Sequence, residues 1–497
     1  MKDSKKIGYG FLVKNISWLM AGRFIAKMCS LLALPIITAR LSPVDYGVIA
    51  LFLVEAALLE ALYGFSLNSF AGRMIYKYDR RNPRLCHEYM GVTLFFIVIF
   101  STVMLVLTLP LAHMIKDFVL KDVVFPHPFF YYVPIAYAYL SNLYGFSTNN
   151  FLTLQENKKL FMCEILEFIL ILPLQIIGLV WFNFSWAEIV LLQLVARGIV
   201  TVFSFVLIRK FLRFSMKRLK IFRKAIEYSL PLVPLSFMGW IQSQIDKVFL
   251  GHMHATSYVG VYSLGNKLSE AFSFFSRPVM TTINPEIAKR LDANASNLQR
   301  DITDFFTLFF QISLFIIFCI SIFSKEIITL LVASEYASAF LILPLLMLAY
   351  MIGEMNGLLR LKFIHKNKPG FITLFVLLGA VFNTVMNYFL VPQFNIVGAA
   401  VATVIANILV FFVSYVLSQK LHASRYNLVF NFASMAVVCV VIFFIQKYFV
   451  ISWGMEVIKL VLIGAYGIWL YRYLAETNYR FKDLKNTLFK SILVRFA

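Results

Sequence analysis

Runs of eighteen or more apolar residues recur from one end of the 497-residue sequence to the other. A bilayer core offers no water to backbone N–H and C=O groups, so only helices or closed barrels satisfy those groups within it. A transmembrane barrel would alternate polar and apolar residues over segments of about ten, and no such alternation is present. The sequence therefore reads as an all-α integral membrane protein. Its 60% hydrophobic residues, 14% charged residues and mean hydropathy of +0.79 agree.

About fourteen transmembrane helices are expected. They fall at 11–39, 46–68, 89–112, 129–153, 160–182, 186–208, 228–253, 257–282, 305–323, 338–361, 370–391, 397–418, 428–449 and 453–471. The basic stretch 209–224 divides the chain into a six-helix lobe over 1–212 and a second over 213–420. Residues 421–497 add two helices and a basic tail. A faint internal repeat supports this division: Tyr46-Gly47-Val48 opens the second span as Val259-Gly260-Val261 opens the eighth, each after a charged helix and a short turn. The basic opening runs straight into the first apolar run without a small-x-small cleavage site, so that segment is expected to be retained.

The net charge of +21 is concentrated at 73–84, 209–224, 360–368 and 472–495. These are alternate loops, which the positive-inside rule places in the cytoplasm together with both termini. Topology and anionic membrane lipids thus account for the charge, and no nucleic-acid partner is expected. The five cysteines form no CxxC, so neither a disulfide framework nor a metal site follows, and no cofactor is expected.

Charges inside the apolar spans carry the functional information. An ionised side chain at the centre of a membrane helix costs about 2.5–3.5 kcal/mol, which argues against lipid-facing positions. The stretch 228–278 nevertheless holds Asp246, Lys247, Lys267, Glu270 and Arg277. On a continuous helix Lys267, Glu270 and Arg277 share one face within roughly 80°, with Lys267 and Glu270 near mid-membrane. In the first half Arg23 and Lys27 share a face at i,i+4, and the second span carries Glu55 and Glu60. Arg23, Lys27, Lys247, Lys267 and Arg277 are the candidate cavity cations. Asp246, Glu270, Glu55 and Glu60 are the candidate coupling or cavity carboxylates, some of which could instead neutralise those cations. Glu164, Glu167, Arg197 and Glu354 read as isolated packing or interface residues.

Several segments resemble a known family. Lys14-Asn15-Ile16-Ser17-Trp18-Leu19, Gly22-Arg23-Phe24, Pro35 and the run Ala39-Arg40-Leu41-Ser42-Pro43-Val44-Asp45-Tyr46-Gly47 are similar to the opening of bacterial polysaccharide flippases of the O-antigen (Wzx) type. Ser229-Leu230-Pro231-Leu232-Val233-Pro234, Asp246-Lys247 and Gly260-Val261-Tyr262-Ser263 resemble that family's seventh and eighth helices. The family lies within the multidrug/oligosaccharidyl-lipid/polysaccharide (MOP) exporter superfamily. The resemblance implies two pseudo-symmetric six-helix lobes, as in the MATE transporters, plus two C-terminal helices. It also implies alternating access and translocation of an undecaprenyl-pyrophosphate-linked oligosaccharide, such as an O-antigen repeat unit for lipopolysaccharide, across the bacterial inner membrane. A monomer is expected, with polysaccharide polymerase and chain-length machinery as partners. The rival within the superfamily is a cation-coupled multidrug exporter, for which acidic rather than basic cavity residues would be expected. An enzyme, such as a membrane glycan polymerase or glycosyltransferase, is not expected: the outer connection 113–126 is too short for a catalytic domain, and no Walker A, HExxH or Ser-His-Asp arrangement is present.

Overall fold

Ser42 and Pro43 start the helix on which the first half is built. The Ser42 side chain accepts a hydrogen bond from the Asp45 amide while the Asp45 carboxylate accepts from the Ser42 amide, and Pro43 occupies the first turn, where no amide donor is needed. A computed structural model describes the chain except residues 1–25, 80, 122, 293–297, 422–425, 449–452 and 477–497. Helices are the only regular elements among the described residues. They form two compact units, Met1–Gly260 and Val261–Ala497.

In the first unit, α1 (Leu34–Arg40) follows a helical stretch at 26–32 and restarts at Pro35. Then come α2 (Pro43–Tyr63), α3 (Leu67–Tyr78), α4 (Pro83–Thr108), α5 (Ala112–Val119), α6 (Val133–Thr153), α7 (Asn157–Trp181), α8 (Trp186–Ile208), α9 (Phe222–Ser229) and α10 (Val233–Met253). One apolar core gathers Ile37, Phe52, Val133, Tyr137 and Ile189 from α1, α2, α6 and α8. A second gathers Phe70, Met90, Phe146, Cys163 and Val200 from α3, α4, α6, α7 and α8. The expected second span, 46–68, ends early. Phe65 and Ser66 take φ of 43° and 52°, a left-handed pair that turns the chain from α2 into the amphipathic α3. Much of the expected outer loop 113–126 is helical as well, in α5.

The unit boundary at Gly260 lies beyond the expected lobe boundary at residue 212 because α9 and α10 are tied to α2 and α3. Tyr228 on α9 packs against Phe70, and the Arg73 guanidinium lies 4.7 Å from the Tyr228 ring centre. The Ser66 and Ser236 hydroxyls are 3.0 Å apart, and Trp240 Nε1 donates to the Val54 carbonyl at 3.1 Å. The two sides of the faint repeat also meet. A Cβ on Gly47 would collide with the Thr256 carbonyl and lie 3.1 Å from the Gly260 nitrogen. A Cβ on Gly260 would collide with the Pro43 carbonyl and lie 3.1 Å from the Gly47 nitrogen. This reciprocity, residue for residue, is the signature of two related segments packed about a local two-fold axis. Only glycine allows backbones so close.

The second unit contains most of α11 (Thr256–Ser269), then α12 (Ser273–Asp292), α13 (Leu298–Ile322), α14 (Ser324–Leu331), α15 (Leu343–His365), α16 (Gly370–Leu421), α17 (Leu428–Tyr448) and α18 (Trp453–Glu476). The expected continuous span 257–282 is broken by a 3₁₀ turn at Glu270–Phe272, whose three residues per turn alter the facing computed for a straight helix. The two expected spans 370–391 and 397–418 meet in α16 at Asn395, whose φ of 51° and ψ of −129° interrupt the helix. Amides join the helices: Asn356 donates to the Asn407 carbonyl at 3.2 Å, Asn407 to the Ala349 carbonyl at 3.1 Å, and Gln311 to Asn431 Oδ1 at 3.0 Å. Lys459 on α18, almost fully buried, bonds both Glu326 of α14 and Glu456.

By length and composition, eight helices among the described residues can cross a membrane. A ninth follows if Ser334–Leu341 and α15, bent by 46°, form one span. The protein is thus a multi-pass membrane protein. Helices occupy each of the roughly fourteen expected stretches as far as the described residues cover them, at lengths set by bilayer thickness. The Tyr-, Ser- and Asn-rich α6 and the α10 segment with Gln242, Gln244, Asp246 and Lys247 fall outside the apolar set.

The glycine crossing yields a direct test. Gly260→Leu or Gly47→Leu should lower the thermal unfolding midpoint of the purified chain, overpacking of this kind costing about 1–3 kcal/mol. Gly454→Ala, at a position where a Cβ would meet nothing within 4 Å, should leave the midpoint unchanged. Equal midpoints for all three would refute the close crossing.

Candidate functional site

The charged residues singled out from the sequence lie in unlike settings. Arg23 is outside the described residues. Lys27 is half-buried in the helical stretch 26–32. On α10, Asp246 is buried and its neighbour Lys247 donates to Gln244 Oε1 at 2.9 Å, one turn earlier. Lys267 is half-buried near the end of α11. Glu270 pairs with Arg277 rather than with Lys267 at i,i+3: Arg277 Nη2 lies 3.9 Å from Glu270 Oε1 across the 3₁₀ break. Two turns separate these residues, so they return to one side of the segment. Next to Arg277, the Ser276 hydroxyl donates to Glu354 at 3.5 Å. Glu354 is therefore part of a polar group and not an isolated position.

The two carboxylates of α2 differ. Glu55 is completely buried, and neither of its carboxyl oxygens has a hydrogen-bond partner. Lys116 of α5 is the cation whose charge reaches it. A buried polar group without partners costs stability, so packing alone gives no reason for a glutamate there. Glu60, five residues on, lies about 140° around the helix. It is exposed.

Within electrostatic reach of Glu60 lies a cluster which reading the sequence one residue at a time missed. Arg197 on α8 makes an ion pair with Glu167 of α7 at 2.8 Å and donates through Nη2 to the Tyr137 hydroxyl of α6 at 2.9 Å. Its guanidinium stacks 5.1 Å from the Tyr137 ring centre and 4.9 Å from that of Tyr144. Four helices thus converge, because Glu60 of α2 lies within electrostatic reach of both Arg197 and Glu167. Gly145 of α6 lies beside Glu60 and Asn68: a Cβ there would stand 3.9 Å from Glu60 Oε1 and 3.9 Å from Asn68 Nδ2. The signal available beforehand was weak. Glu167 and Arg197 are thirty residues apart in different spans, and the polar face of α6, Tyr137, Ser141 and Tyr144, is visible only as a 3–4 spacing among apolar residues. Among the described residues no group of three His, Cys, Asp or Glu side chains is arranged to hold a metal ion.

With side-chain exposures of 14% and 22%, Arg197 and Glu167 are largely desolvated. Removing one partner of a buried pair costs about 3–5 kcal/mol, whereas replacing both by apolar residues of similar volume is often close to neutral. A double-mutant cycle on thermal unfolding should therefore find Arg197→Met and Glu167→Leu each strongly destabilising and the double variant much less so than their sum. Simple additivity would show the pair to be uncoupled.

Comparison with known proteins places this architecture. A family model described as "Polysaccharide biosynthesis protein" matches residues 12–291. Over 202 residues the chain is 26% identical to the "Probable low-salt glycan biosynthesis flippase Agl15" of Haloferax volcanii, a match covering 40% of this chain and 41% of that one. The chain thus spans about two fifths of the length of the curated relative it matches. In three dimensions it is similar to the lipid II flippase MurJ in an inward closed conformation, with a TM-score of 0.70 over 93% of this chain and 98% of that one at 13% identity. It is also similar to an inward-facing MATE multidrug resistance transporter of the MOP superfamily, with a TM-score of 0.60 over 82% and 98% of the two chains, again at 13% identity. The fold is that of the MOP superfamily, and the chain belongs to the polysaccharide biosynthesis protein family.

Proposed function

We propose that the protein is a flippase that moves an undecaprenyl-pyrophosphate-linked oligosaccharide from the cytoplasmic to the outer leaflet of a bacterial inner membrane by alternating access. The observation that carries this reading is the family match over residues 12–291. The curated relative, named as a glycan biosynthesis flippase, and the fold shared with a lipid II flippase support it. The chemistry is consistent: a sugar head and pyrophosphate cannot cross hydrocarbon unaided, so the protein must supply a polar route while the lipid tail stays in the bilayer. Arg23, Lys27, Lys247, Lys267 and Arg277 are proposed to hold the anionic head, since a guanidinium or ammonium bonded to phosphate makes the stronger class of hydrogen bond. Asp246, Glu270, Glu55 and Glu60 are the proposed coupling carboxylates. Among these, Glu55 has the clearest structural reason, being buried with both oxygens unpartnered.

Transport into vesicles separates these roles. At matched membrane abundance, Lys27→Ala, Lys267→Ala and Arg277→Ala should each weaken lipid-linked substrate binding by about ten- to a hundred-fold. Asp246→Asn with Glu270→Gln should reduce the response to an imposed ion gradient. Unchanged transport by all of them would sink the assignment.

The topology proposed is about fourteen crossings with both termini cytoplasmic, motivated by basic residues in alternate loops. Reporter fusions at Lys217 and Asn183 should report opposite sides of the membrane. The same side for both would overturn it.

A further inference from the structure

The stretch 209–224 carries eight Lys and Arg residues and no Asp or Glu, and the proposed substrate path uses none of them. The positive-inside rule explains the side of the membrane on which such a stretch lies, but not how it is folded. It is laid against the first unit. After the 3₁₀ turn Arg209–Phe211 the Arg213 amide donates to the His87 carbonyl of α4 at 3.1 Å, and a Cβ on Gly91 of α4 would collide with the Arg213 carbonyl. Leu212, Leu219 and Ile221 pack on the apolar core that holds Phe70, Met90 and Phe146. One side of the stretch is therefore ordinary packing.

Two further apolar residues are not covered in this way. Phe214 is 53% exposed and Phe222, the first residue of α9, is 41% exposed. The Phe214 ring centre lies 5.3 Å from that of Phe95, and the Phe222 ring lies 4.8 Å from Phe96 and stacks on Phe100 at 6.1 Å. On α4, Phe95, Ile99 and Val103 recur every fourth residue and all three are exposed, the stripe that a membrane helix turns to acyl chains. The two phenylalanines thus extend a lipid-facing surface. Beside them Arg213, Lys217, Lys220 and Lys224 are exposed. Rings continuous with an acyl-facing stripe and cations at its edge are the composition of a segment that lies in the membrane interface, with the rings inserted and the charges at headgroup level.

The cations require an anionic partner and the rings a hydrocarbon one, and a phospholipid with a negatively charged head supplies both in one molecule. Lipid carriers bear phosphate too, but the cations are strung along the whole stretch instead of converging on one point, which suits several headgroups better than a single pyrophosphate. We propose that 209–224 is a docking surface for anionic phospholipids, which holds the segment leading into α10 on the membrane and makes the stability of the chain depend on lipid charge. The proposal is independent of what the protein transports.

The test uses the purified full chain in nanodiscs of phosphatidylcholine with and without phosphatidylglycerol. Phosphatidylglycerol should raise the thermal midpoint of the wild-type chain. Lys217→Gln, Lys220→Gln and Lys224→Gln together should remove most of that rise, with the midpoint in phosphatidylcholine alone kept at the wild-type value. The same number of exposed cations removed from the second unit, by Lys366→Gln, Lys368→Gln and Lys420→Gln, should leave the rise intact. Separately, Phe214→Trp adds a fluorophore at the exposed ring, and the added emission should be quenched by brominated acyl chains. This arm leaves every cation in place, so it decides the matter even if the triple variant fails to fold. A rise retained in the 217/220/224 variant would overturn the proposal and leave an acidic protein as the partner to be sought. Equal loss in both triple variants would overturn it as well, since the chain would then respond to net charge and not to this surface. So would added emission that brominated lipid leaves unquenched, because the segment would then stand in water. If the 217/220/224 variant lost stabilisation by polyisoprenyl pyrophosphate and kept that by phosphatidylglycerol, the surface would belong to the carrier and the proposal would fall.

Discussion

Nothing in a bilayer core stands in for water, so each polar group placed there must find its partner within the protein. The ion pairs and amide bonds between helices are consequences of that condition. Arg197 satisfies it through a carboxylate, a phenol and two ring faces from two other helices, and so fixes α6, α7 and α8 relative to one another. Lys459 does the same in the second unit with Glu326 and Glu456. Among the described residues with buried atoms that lack a partner, Glu55 is a carboxyl completely buried on α2 with no partner for either oxygen. A site that departs from an otherwise enforced rule is where function is most economically sought.

Packing and polarity divide the helices by role. In α7 and α18 only 11% of the most apolar window is buried within the protein, so these helices present their apolar surface to lipid. In α2 the share is 67%. The helices outside the apolar set, α6 and α10, are the ones that bring Tyr137, Ser141 and Tyr144, or Asp246 and Lys247, into the interior. Low hydropathy is tolerable there because neighbouring helices, and not acyl chains, surround those faces. The requirement for a polar interior therefore lowers the hydropathy of the helices that carry these side chains.

How much of this could be read from the chain depends on the range of the interaction. Apolar runs are local, so the helical membrane class, the position of the helical stretches and the alternation of basic loops are legible in the sequence. The Gly-Val repeat was visible too, as two short strings about two hundred residues apart. Its meaning was not, because the reciprocal approach of Gly47 and Gly260 exists only once α2 and α11 cross. Local backbone breaks were hidden as well. The 3₁₀ turn at Glu270–Phe272 redirects a face that a straight helix would have assigned, and it leaves Glu270 paired with Arg277.

By itself, the sequence determined that the chain must be helical, must cross a membrane repeatedly and must carry charges that lipid cannot accept, since each of these follows from residue type and spacing along one segment. Only the tertiary structure decided which charges are partners. Glu167 and Arg197, read separately as packing residues, are an ion pair within electrostatic reach of Glu60, while Glu55 on the same helix as Glu60 is turned away from them and buried. The reason is geometric: pairing across helices depends on their crossing and rotation, and those are set by the summed packing of side chains from segments far apart in the chain.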